Sequence, residues 1–396
     1  MSDLKNIFYG DRVVQQAYLN DALIYQADSW QNTPVSRQLV YKTIGADKAG
    51  SGGIRGFFTH TNNLIVVDYF YLGSNAYTFR ITKFNSSQGL FAYDLIVDVK
   101  ASSLFQETIN AGYTCIYTVP AYMDSDNVVH ILYNPVNSSE LHLLNITDLG
   151  THFSYEDVLV PSTFALGTIR SVCMDNNKFY VSIANDSTLY AIDYKCNSVS
   201  RFTSLRSSSL MCLSTNNDSD FVYGIVYNTK EIVQFNKNIG TCNYIATTVN
   251  TANYNSLTID SMNNIYLYNT YASNGSSVGY GQQVYKYSVT NKKIYTMTYN
   301  DNYACTIRLA FDSRNNMYTF GRDYYSSKGT IFCGYRYNAS STRDYFVDDI
   351  VGVVASPNLY GDVCVDNYDN IFYILPISTS PYGYYIYKFS NLEQVN

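Results

Sequence analysis

Three arginines stand at matched places in this 396-residue chain: Arg55 in GIRGFF, Arg170 in TIRSVC and Arg308 in TIRLAF. Each opens an apolar run that reads as a strand. A planar guanidinium suits phosphate or carboxylate, so three on one rim would make an anion site. The competing reading pairs each Arg with a neighbouring carboxylate or backbone carbonyl, which is the commoner way to satisfy Arg. A second set of candidates is aromatic. Tyr271 and Tyr280 fall in TYASNGSSVGYGQQ (270–283), Tyr324 and Tyr325 in GRDYYSSKG (321–329), and Tyr382 and Tyr384 in STSPYGYY (378–385). Read as loops, these stretches set flat amphipathic rings among Asn, Ser and Gly, a mixture that binds sugars by stacking and adaptable hydrogen bonds. With 42 Tyr in the chain, any loop will contain some, which blunts that signal.

An Asp also recurs: Asp175 in VCMDNN, Asp260 in TIDSMNN, Asp312 in AFDSRNN and Asp366 in VCVDNYDN. Such Asp/Asn clusters could ligate Ca²⁺, or they could cap tight turns by accepting backbone N–H groups. Repetition from unit to unit favours the turn. No G-x-S-x-G, H-E-x-x-H, Walker or G-x-G-x-x-G motif occurs, so no catalytic residue is assigned and the expectation is not an enzyme. A carboxylate pair drawn from separate strands leaves no linear trace, which keeps a glycan-cleaving alternative open. The eight Cys include no C-x-x-C and the four His are scattered, so neither a metal site nor a cofactor is expected.

The elements that must position these residues repeat. Residues 257–290 read as strand, Asp-x-x-Asn-Asn turn, strand, loop, strand, and KKIYTMTY adds a fourth strand. Units of four strands with a period of about 40–50 residues are the signature of a β-propeller. Innermost strands should begin near Ile54, Cys115, Ile169, Leu210, Leu257, Ile307 and Leu359. The expected fold is all-β: a seven-bladed β-propeller of four-stranded antiparallel blades spanning 37–396. Six blades would follow if the weakly patterned second repeat, 113–160, were misassigned. The last repeat lacks its outer strand, and RQLVYKTIG (37–45) can supply it, closing the last blade with an N-terminal strand. Residues 31–36 read as a linker.

Residues 1–30 fall outside the repeat and read as a small β-meander: NIFYG, VVQQAYLN and ALIYQ, punctuated by Gly10-Asp11 and Asn20-Asp21. The runs IFYGD (7–11) and AYLNDALIY (17–25) resemble the N-terminal segment of bacteriophage tail and fibre-type structural proteins. That resemblance implies a virion protein, made in the host bacterial cytoplasm. Its first thirty residues would dock on other virion structural proteins, with Phe8, Tyr9, Tyr18, Leu23 and Tyr25 as the docking residues, inside a homo- or hetero-oligomeric assembly. The net charge of −6 argues against nucleic acid and anionic membranes, and no apolar run is long enough to span a membrane. The functional expectation is a non-enzymatic phage tail, fibre or neck protein whose propeller presents loops to a host cell-wall glycan or a protein partner. A purely architectural virion subunit is the alternative from another class.

Overall fold

The computed structural model describes most of residues 54–102, 116–268, 283–347 and 361–390, with the backbone of five strands between residues 7 and 42. The described elements are all β-strands, and they form a β-propeller of small antiparallel sheets. The first sheet runs Arg55–Phe58, Leu64–Gly73, Ala76–Asn85, Leu90–Ile96. The second takes Ala121–Met123, Val129–Tyr133, Leu141–Asp148 and Phe153–Val160. The third takes Ile169–Met174, Lys178–Ile183, Thr188–Asp193 and Ser198–Ser204. The fourth takes Leu210–Ser214, Phe221–Val226, Glu231–Asn236 and Cys242–Thr247. The fifth takes Ser256–Ile259, Ile265–Tyr268, Gln283–Ser288 and Lys293–Thr298.

A composite sheet joins Asp362–Val365, Ile371–Ile377 and Gly383–Ser390 to the N-terminal strand Ser36–Lys42, with Phe389 opposite Arg37 and Tyr385 opposite Lys42. The orphan strand therefore sits where the missing outer strand was expected.

The blade count differs from the expectation. Among the described residues there are six four-stranded blades, not seven, and the strands from Asn302 to Val347 form a five-stranded sheet instead. Its central hairpin, Met317–Tyr325 with Gly329–Tyr337, pairs over nine positions. On the other edge of Met317–Tyr325, the short strand Ala310–Phe311 covers only Met317 and Tyr318. Asn302–Ala304 joins that same edge. A long strand beside a two-residue partner leaves backbone donors and acceptors that another strand can satisfy.

Two smaller corrections concern the start of the chain and the second repeat. The expected three-stranded meander is four short strands in two pairs, Ile7–Tyr9 with Arg12–Val14 and Gln16–Leu19 with Ala22–Gln26. The middle run is divided because each turn pair closes its own hairpin, with Tyr9 opposite Arg12 and Leu19 opposite Ala22. In the second repeat, Ile116–Thr118 pairs back on Phe105–Glu107, and the inner strand starts only at Ala121. Pro120, which has no N–H to donate, stands between the two strands.

The chain divides into two compact units, residues 1–71, 80–95 and 305–396, and residues 72–79 and 96–304. In the second unit, successive sheets stack face to face. Leu132 and Leu143 pack with Val172, Phe179 and Val181. Tyr180 and Leu189 pack with Val222, Val233 and Phe235, and Tyr223 and Ile225 pack with Leu257, Ile265 and Leu267. Each such fully buried side chain contributes about 1.5–3 kcal/mol relative to exposure. Second strands lie between neighbours and read as apolar runs, as in Val129–Tyr133, where every residue is buried. In the first unit, Leu64, Val66 and Phe84 pack with Phe372, Ile374, Tyr384 and Ile386.

The recurrent Asp residues hold turns. Asp260 Oδ1 accepts the N–H groups of Met262 (2.9 Å) and Asn264 (2.8 Å), and its Oδ2 accepts Asn264 Nδ2 and the Tyr266 hydroxyl. Asp312 repeats all four bonds with Arg314, Asn316 and Tyr318. Asp366 repeats three, with Tyr368 and Asn370. Asp124 and Asp175 cap their own turns likewise. Asn263 and Asn315 adopt φ near +60°, which Asn tolerates, and this explains the Asn-Asn of the motif. With their lone pairs given to these donors, the carboxylates are structural.

Candidate functional site

Two irregular inner strands of the second unit build the most distinctive cluster of charge. The pairing of Ile169–Met174 with its neighbour slips between Ile169 and Ser171, so Arg170 is the extra residue of a bulge. The pairing of Leu210–Ser214 slips between Met211 and Ser214, with Cys212 at φ +55°. Bulges re-aim side chains out of the sheet alternation. The two irregular segments are tied together: Ser171 Oγ accepts the Leu213 N–H at 2.7 Å, and Ser182 Oγ bridges the N–H and carbonyl of Leu210.

The turn after Phe221–Val226 completes the cluster. The Tyr227 N–H donates to Ser209 O at 2.9 Å, and the Lys230 N–H returns to Val226 O at 2.9 Å. Lys230 itself has φ +58°. The Arg170 guanidinium carbon lies 4.1 Å from the Tyr227 ring centroid, and Lys230 Nζ lies 4.9 Å from the same centroid. Lys230 Nζ also lies 3.8 Å from Met211 Sδ. Burial pushes the Lys230 ammonium below the ordinary lysine range; the Cys212 thiol opposes that shift and the Arg170 charge reinforces it. Glu231, next in sequence, accepts from Thr229 Oγ1 at 2.7 Å.

Among the described residues, neither Arg170 nor Lys230 has an ion-pair partner, and Arg170 Nε is buried with no protein acceptor. Elsewhere in this unit Lys237 Nζ is paired with Asp175 at 2.9 Å. The cluster thus carries two like charges on one ring. Chemically it can hold an anion.

The sequence candidates are dispersed. Arg170 is in this cluster. Arg55 is buried in its inner strand at 5 % exposure, where an exposed rim position was expected, because its strand lies against the composite sheet's packing. Tyr384 is fully buried in the first unit, with Phe84 and Arg80 against its ring, so it is core and not a ligand-stacking loop residue. Tyr324 and Tyr325 extend a strand, opposite Thr330 and Gly329, and not a loop. Arg308, Tyr271, Tyr280 and Tyr382 lie outside the described residues, as do the side chains of Phe8, Tyr9, Tyr18, Leu23 and Tyr25. Tyr227 and Lys230 escaped the sequence reading because their turn, YNTKE, resembles any short hairpin connection.

No protein-family model matches the chain, and no curated protein matches it in sequence. Solved structures resemble it at low identity. The extracellular domain of a B. thetaiotaomicron protein assigned to the one component systems aligns at 12% identity and TM-score 0.48, over 87% of this chain and 39% of that one. An oligogalacturonate lyase in complex with manganese aligns at 8% identity and TM-score 0.49, over 87% of this chain and 98% of that one. A chain of the nidogen/laminin complex aligns at 10% identity and TM-score 0.43, over 68% and 90%.

Proposed function

We propose that this chain is a non-enzymatic binding protein, a β-propeller that presents inner-strand starts and hairpin turns to a surface glycan or a protein partner. One observation carries the reading: Arg170 and Lys230 hold two like charges against Tyr227 with no carboxylate partner among the described residues. An uncompensated, half-buried charge pair costs stability and is retained where something binds it. The recurrent Asp residues are consumed by turns, which leaves them no catalytic duty. The resemblance of residues 1–30 to phage tail and fibre-type proteins supports placement in a virion, with those strands on a neighbouring structural protein.

The test incubates the full chain with bacterial cell walls, native and stripped of polysaccharide, and assays bound protein and released reducing ends. Binding to native walls alone, without release, is expected. Release of sugar fragments would make the protein a glycan-cleaving enzyme, and no binding to either wall would leave an architectural subunit. Antibody against the chain should label purified virions; its absence from particles would remove the virion assignment.

A further inference from the structure

Arg170 stacks its guanidinium on Tyr227, a contact that uses the flat face of the group. The N–H donors of a guanidinium lie in its plane, so stacking leaves the hydrogen-bonding edge for another partner. On that edge Nε is buried without an acceptor from the protein, and an unmet buried donor is unfavourable unless a ligand supplies the acceptor. Lys230 brings a second positive charge to the same ring. Its backbone is held at φ +58° by the turn bond to Val226 O, and its ammonium rests against Met211 Sδ, a poor acceptor. The groups facing it are Arg170 from the third sheet, Met211 and Cys212 from the fourth sheet's inner strand, and Tyr227 from its own turn. None is a carboxylate.

We infer that Arg170, Tyr227 and Lys230 form a binding site for one phosphate-type oxyanion. Two adjacent oxygens would accept from the Arg170 edge and a third would face Lys230. A halide offers a single acceptor atom to the planar fork, and a carboxylate whose two oxygens meet that fork has no third oxygen to face Lys230. The inference rests on the reading of this face as a binding surface and names the ligand chemistry it takes. That chemistry is shared by free phosphate and by a phosphodiester of a surface polymer.

Calorimetric titration of the full chain with inorganic phosphate, with dimethyl phosphate, with acetate and with chloride, at constant ionic strength, tests it. Phosphate should bind at least about tenfold tighter than acetate or chloride, the worth of one charge-assisted hydrogen bond. Dimethyl phosphate binding as well as phosphate would assign the site to a polymer diester; binding only by inorganic phosphate would assign it to the free ion. Lys230→Asn keeps a residue that tolerates positive φ and removes the charge. Arg170→Lys keeps the charge and removes the fork. Each should weaken phosphate about tenfold or more with the circular dichroism spectrum unchanged.

Because burial already disfavours the Lys230 ammonium, phosphate affinity should fall as pH rises through the lowered lysine range, and Lys230→Asn should abolish that fall. No heat at millimolar phosphate, equal binding of acetate, or full affinity in both folded variants overturns the site. Phosphate binding without wall binding would keep the site and discard the glycan platform; wall binding indifferent to phosphate and to both variants would do the reverse.

Discussion

Arg80 and Arg170 both lie over a tyrosine ring, at 5.4 Å from Tyr384 and 4.1 Å from Tyr227, yet their surroundings are opposite. Arg80, in the first sheet, donates from Nε to Asp68 Oδ1 at 3.0 Å and from a terminal nitrogen to Asp68 Oδ2 at 2.5 Å. Burial works against both charges: at the guanidinium the Asp68 carboxylate more than offsets it and keeps Arg80 protonated, whereas at Asp68 burial outweighs Arg80 and raises the carboxyl pKa. Arg170 has Lys230 for a neighbour and, among the described residues, no acid. The same side chain on the same kind of ring is a closed bidentate pair in one place and an open charge in the other. The first is part of the core. The second has no counter-charge among the described residues, and the difference teaches that the partner, more than the arginine, decides the role.

The largest effect expected from this contrast is at the closed pair. Asp68→Asn keeps the shape and removes the negative charge that the buried Arg80 guanidinium is paired with. Losing one member of such a pair costs about 3–5 kcal/mol. Urea denaturation should show the loss as a lower midpoint at unchanged slope. A shift worth under about 1 kcal/mol would mean that the pair is solvated and that the comparison has no closed member.

The contrast also marks how far the sequence could be read. The repeating strands, the Asp turns and the outer strand supplied from residues 36–42 follow from alternation, turn chemistry and the need to cover an edge. The five-stranded sheet does not follow, because pattern shows that a strand exists but not how far its partner extends. Tyr384 reads as a loop tyrosine beside Pro381 and Gly383, while the pairing of Ile377 with Gly383 carries the strand up to it and turns its ring into the core. Arg170 was visible as a motif. Its bulge was not, since one extra residue leaves no trace in a short apolar run, and Lys230 meets it only through folding.

The open cluster should respond differently. Arg170→Met and Lys230→Asn each remove a charge that has no ion pair among the described residues, so no buried counter-charge is abandoned. Each gives up a contact with the Tyr227 ring but no ion pair, so stability should change by no more than about 1 kcal/mol. The same urea titration measures this beside Asp68→Asn. A loss of about 2 kcal/mol or more in either variant would show that these cations hold the fold and would erase the distinction between the two regions.

The finest test uses protons. The folded chain holds Lys230 below its ordinary pKa, so on raising the pH the folded protein releases this proton before the unfolded chain does. Across that alkaline window the unfolded state binds more protons, and stability must therefore rise with pH for this one group. Other lysines and tyrosines titrate nearby, so the useful quantity is the difference between the wild type and Lys230→Asn. That difference should climb in favour of the wild type as pH moves through the window between the lowered folded value and the ordinary lysine value. Added phosphate should flatten the climb, because a bound oxyanion stabilises the ammonium and returns its pKa toward the unfolded one. A difference that stays level without phosphate would place Lys230 in solvent. One that falls would reveal a carboxylate partner, making Lys230 a closed pair like Arg80.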